Sequence, residues 1–89
     1  REATQPQARA QARAALDKAR ANAEIAEAAL TRMQELEARG FVSRSDLDDA
    51  VNRRELARAE LTSAEEQWST LERQLTSQLQ AAEARVAQA

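Results

Sequence analysis

The chain has 89 residues, and 22 of its 38 apolar side chains are alanine, with Phe41 and Trp68 as the only aromatics. So little bulk cannot fill an ordinary globular core, and a single glycine and a single proline leave almost nowhere to turn, which excludes sandwiches, barrels and alternating α/β folds. A formal net charge of −2 offers no bulk attraction to nucleic acid or anionic lipid, and with no histidine or cysteine there is no imidazole base, thiol nucleophile, zinc framework or disulfide.

The expectation is therefore an all-α protein without enzymatic activity, metal or cofactor. Alanine, leucine, glutamate, glutamine and arginine dominate, the composition of long helices and coiled coils.

The first helix is expected near residues 6–39. Proline is tolerated in a first turn, where its missing N–H has no partner to lose, so Pro6 marks the start. Ala12, Leu16, Ala19, Ala23, Ala26, Leu30 and Met33 then recur at alternating steps of four and three, which is one coiled-coil stripe.

Residues 40–43 are expected to turn. Gly40 suits the left-handed residue that closes a helix, and Phe41 is placed to fold back onto Leu36, the apolar contact that accompanies a Schellman cap. Ser43 or Ser45 can cap the next helix, and Ser43 with Asp46 is a capping box in which aspartate replaces the usual glutamate. Asp46, Asp48 and Asp49 crowd this helix start, where the dipole favours negative charge; on a helix they point apart and do not form a metal cage.

The second helix is expected over about 44–88. Its stripe runs through Leu47, Ala50, Arg54, Ala57, Leu61, Ala64, Trp68, Leu71 and Leu75. Two long helices joined by about four residues must lie antiparallel, so facing residues should have position numbers of constant sum. Leu36 with Leu47, Met33 with Ala50, Ala26 with Ala57, Ala19 with Ala64, Ala12 with Leu71 and Ala8 with Leu75 all give 83. Leu30 with Arg54, Ala23 with Leu61 and Leu16 with Trp68 give 84. The fold class is thus a two-helix antiparallel coiled-coil hairpin, one domain over 1–89.

Beyond Leu75 the stripe continues through Leu79, Ala82, Val86 and Ala89 after one extra four-residue step, a stutter that unwinds the supercoil. It begins where the first helix runs out. The bare stripe predicts self-association through the ends farthest from the turn, and a chain that is a piece of a longer protein.

Most charges read as solvated helix faces. Glu35 with Arg39 and Asp49 with Arg53 are spaced as i,i+4 pairs. Arg53, Arg54 and Arg58 form the one local basic cluster, interrupted by Glu55. Arg54 occupies a seam position, where it either fixes register or snorkels over Leu30 to water. Trp68 reads as seam packing.

At the turn end, Arg32 and Leu36 lie one helical turn apart on one face, and Ser43 follows just past the turn. Each has a bland role: Arg32 in solvent, Leu36 beneath Phe41, Ser43 as a cap.

Together, their spacing resembles the arginine, leucine, serine tip motif of the periplasmic adaptor proteins, the membrane fusion or hemolysin-D-type proteins of Gram-negative tripartite efflux and secretion systems. The segment ARGFVSRSDLDDA at residues 38–50 is similar to the turn and restart of that family's hairpin, and AQARAALDKARANAEIAEAAL to its arms. The resemblance implies a hairpin in the periplasm that projects from a lipoyl-like domain of a protein anchored at the inner membrane. Its tip, with Arg32, Leu36 and Ser43, would meet a TolC-type outer-membrane channel. The rest of the full-length protein would engage an inner-membrane transporter, and neighbouring adaptor hairpins would form a homo-oligomer. Helix length suits adaptors of ABC or major-facilitator transporters better than the shorter RND type. The chain lacks both lipoyl half-motifs and the family's β-barrel.

Two other readings belong to different classes. A coiled-coil arm that binds RNA, like that of a tRNA synthetase, needs a basic stripe, whereas residues 1–39 carry seven bases and six acids and residues 40–89 carry six and nine. A purely structural spacer needs no particular tip residues.

Overall fold

A computed structural model describes residues 4–88. It contains two helices, α1 over Thr4–Ala38 and α2 over Arg44–Gln88, packed against each other as one antiparallel hairpin. The molecule measures 73 × 20 × 14 Å, so its length is set by the 45-residue α2 at about 1.5 Å per residue. Helix α1 begins two residues before Pro6, leaving the proline inside the first turn, where its missing N–H breaks no helical bond.

The expected seam is the buried one. Leu16, Ala19 and Leu30 of α1 and Ala50, Ala57 and Ala64 of α2 are buried, while Leu61 and Trp68 pack against the cluster of Leu16, Ala19 and Ala64. Alanine at the buried α2 positions lets the axes approach closely, and the bulk that closes the gap comes from the leucines of α1. Removing each such leucine from water contributes about 1.5–3 kcal/mol. With only two helices there is no second layer, so the core is a line of contacts rather than a volume.

At the far end of the seam Ala8, expected opposite Leu75, is exposed. A strict alternation of four and three carried back from Ala12 reaches position 9, where Arg9, its side chain 54% exposed, reaches across to α2, pairing with Glu72 Oε2 at 3.1 Å and placing its guanidinium carbon 5.7 Å from the Trp68 ring centre. Arg13, one turn on, stands 5.6 Å from the same ring, so Trp68 is both seam packing and the receiver of two cations.

The i,i+4 pairs also differ. Among the described residues the ion pairs along one helix at that spacing are Arg13 with Asp17 at 3.4 Å and Arg44 with Asp48 at 3.6 Å, not Glu35 with Arg39 or Asp49 with Arg53. Arg39 lies just past the last residue of α1, and its N–H donates to Glu35 O at 3.2 Å, so the two residues meet through the backbone and not through their side chains.

Arg54 resolves between its two roles. Its side chain is 24% exposed and reaches across the seam to Glu27 Oε1 at 3.4 Å, while its Nε lies 2.8 Å from Glu55 Oε1 without the alignment of a hydrogen bond. The stem covers the seam and the charge is met by carboxylates on both helices, not by water alone.

Past Leu75 the stripe is bare: Leu79 and Val86 are exposed. No described helix is long and apolar enough to cross a membrane.

Candidate functional site at the hairpin tip

The tip is built by two complementary caps. Gly40 takes φ 77°, the left-handed conformation that side chains with a Cβ rarely adopt. That reversal lets Gly40 N–H donate to Glu37 O at 3.0 Å and Phe41 N–H donate to Leu36 O at 2.8 Å, the paired bonds of a Schellman motif. The Phe41 ring does not fold back as expected: it is 70% exposed. At the blunt end of a two-helix rod nothing lies above the turn to cover it, so Phe41 serves the turn through its backbone.

Ser43 caps α2. Its Oγ accepts from Asp46 N–H at 3.0 Å, and Asp46 Oδ2 accepts from Ser43 N–H at 3.1 Å, so the shorter aspartate closes the reciprocal box after all. Val42 and Leu47 occupy the positions of a hydrophobic staple around this cap, and both are half-buried. Of the three aspartates, Asp46 is the acidic residue of the first turn, and Asp48 is engaged by Arg44.

Ser43→Ala removes one half of the box and is expected to cost about 1 kcal/mol. Adding Asp46→Ala should cost less than its own single effect, because both residues serve one reciprocal bond pair. Urea denaturation of the two single variants and the double variant measures this; full additivity would mean that the caps act independently.

The three tip residues differ in surroundings. Ser43 is exposed and committed to its cap, and Leu36 is half-buried at the end of α1. Arg32 is exposed and forms no hydrogen bond or ion pair with any described residue. It lines a groove of about 360 Å³ between the helices, floored by Met33 and Ala50 and edged by Asp46, Asp49 and Arg53. Through Asp46 this groove adjoins the Ser43 cap, so the structure brings Arg32 and Ser43 to neighbouring parts of one end, while Leu36 sits one turn above Arg32.

Sequence reasoning placed the three residues but missed the groove. Asp49 and Arg53, at its edge, had the spacing to neutralise each other, and that pattern concealed that neither has an ion-pair partner among the described residues. No group of three potential metal ligands occurs among the described residues.

No family model matches the chain, and neither a curated protein nor a solved structure does. What the site can do follows from its own geometry. An unpaired guanidinium offers five donors to carboxylates or backbone carbonyls, a half-buried leucine beside it excludes water, and a cap hydroxyl can exchange its bond for an intermolecular one.

Proposed function

We propose that this chain is the α-helical hairpin of a periplasmic adaptor, which bridges an inner-membrane transporter to a TolC-type outer-membrane channel and docks to that channel through its tip. The observation that carries the reading is Arg32, exposed and unpaired one turn from Leu36 and beside the capped start of α2. A solvated arginine with no hydrogen bond or ion pair among the described residues fits a residue kept for an intermolecular contact, and the tight caps give that contact a rigid base. An RNA-binding arm is less well supported, since Arg54 of the one basic cluster is already engaged by Glu27 and Glu55.

Arg32→Ala in the full-length adaptor carrying this hairpin is the test. Stability should stay within about 0.5 kcal/mol, as for ordinary surface substitutions, while export through the channel is lost. Unimpaired export would remove Arg32 from the docking site.

A further inference from the structure

Two large apolar side chains on the outside of the hairpin are left uncovered, Ile25 at 67% and Leu56 at 63% exposure. Scattered single cases are ordinary on protein surfaces. These two are not scattered. Ile25 lies two turns before Arg32 and Leu56 two turns after Asp49, and Arg32 and Asp49 edge the same groove. Both therefore project from the groove face, whereas Arg20, Glu24, Glu27 and Arg58 gather around Leu61 on the other flank.

They also stand at nearly one level along the rod. Ile25 with Leu56 and Arg32 with Asp49 sum to 81, two or three short of the facing pairs of the seam, an axial offset of about 3–4.5 Å at the helical rise of about 1.5 Å per residue.

Charge on this face is divided by helix. Following the seven-residue repeat, α1 presents Lys18, Asn22 and Arg32 there and no acid, whereas α2 presents Asp46, Asp49 and Glu60 against the single cation Arg53.

We infer that this face pairs with the same face of a second copy of the chain, the two hairpins parallel with both tips at one end. A two-fold axis along the rod stacks α1 of each copy on α2 of the other, making a four-helix bundle. Because the levels differ by less than one helical turn, Ile25 reaches Leu56 of the second copy, Arg32 reaches Asp49 and Asn22 reaches Glu60, each contact occurring twice. The alternative of α1 on α1 with the copies antiparallel about Ile25 sets Lys18 against Arg32, a like-charge pair. The bare end stripe is less suited to self-pairing, since two antiparallel copies centred on Ala82 bring their Glu83 side chains together.

Pairing engages Arg32, so the paired face and a channel docked on Arg32 exclude each other. The pairing itself does not depend on the adaptor reading.

Sedimentation equilibrium of the 89-residue chain, 9.8 kDa as a monomer, tests the pairing. A monomer–dimer equilibrium is expected. Ile25→Glu or Leu56→Glu should weaken it on the order of tenfold or more with helicity unchanged, while Leu79→Glu with Val86→Glu leaves it intact. Arg32→Asp should weaken it and the swap Arg32→Asp with Asp49→Arg restore it; in the full-length protein that swap should not restore export if Arg32 docks the channel, which separates the two roles. Chains carrying Ile25→Cys mixed with chains carrying Leu56→Cys should form the mixed disulfide. A chain that stays monomeric up to about millimolar concentration overturns the pairing. So does a dimer indifferent to Ile25→Glu and Leu56→Glu, or one dissolved by the Leu79 and Val86 changes.

Discussion

Leu16→Ala is expected to destabilise the hairpin by about 3 kcal/mol, within the range for emptying a buried leucine site. Leu16 is the most deeply buried large side chain among the described residues, at 1% exposure, and its neighbours Ala19 and Ala64 are too small to fill the space it leaves. Leu61 and Trp68 lean on the same cluster, so its loss loosens both. A two-helix rod with a single line of contacts has little stability in reserve, and a change of this size should unfold a large share of the molecules near room temperature. Thermal melts followed by circular dichroism measure it. The contrast is Leu79→Ala, at an exposed position, which should stay within about 0.5 kcal/mol. Equal effects at the two positions would mean that the seam is not where the structure puts it.

Trp68→Ala should cost a similar amount, about 3 kcal/mol, but for two reasons that can be separated. One is apolar packing against Leu16, Ala19 and Ala64; the other is the ring's attraction for Arg9 and Arg13. Trp68→Leu keeps much of the first and none of the second, so it should cost about 1–2 kcal/mol, with each cation worth about 0.5–1 kcal/mol at such an accessible site. The sharper measurement is a pair of double-mutant cycles: Arg9→Ala and Arg13→Ala should each couple to Trp68 and lose that coupling in the Trp68→Leu background. No coupling would reduce the two arginines to bystanders. As the only tryptophan, Trp68 also reports its own release from the seam by fluorescence.

What was legible in the sequence was what repeats or punctuates. The alternation of four and three located Leu16, Ala19, Leu30, Ala50, Ala57 and Ala64 because helical geometry maps that spacing onto one side of a cylinder. Gly40 and the Ser43–Asp46 box were legible because few residues tolerate φ 77° or satisfy free helix N–H groups. Long polar side chains were not legible. The alternation carried back from Ala12 arrives at position 9, but that the Arg9 guanidinium finds both an indole face and Glu72 is decided by rotamers across two helices, which no spacing along one helix encodes. The exposed Phe41 ring has a similar origin: the cap motif specifies backbone bonds, and whether its apolar contact forms depends on what lies above the turn. The groove edged by Arg32, Asp49 and Arg53 was hidden because charges that could pair locally give no sign that they do not.

The single line of contacts has a further consequence for how the rod opens. At the turn the facing residues Leu36 and Leu47 are eleven positions apart in the chain, whereas Leu16 and Trp68 are fifty-two apart. Closing the short loop first costs least entropy, and each later layer then adds to an already closed neighbour, so the hairpin zips from the tip downward and frays in the reverse order. Backbone amide protection should accordingly fall along α2 from Ala50 toward Gln88. The tip, with its two caps, is the last part to come undone, and the lower end can exchange one neighbour for another while the upper end keeps its shape.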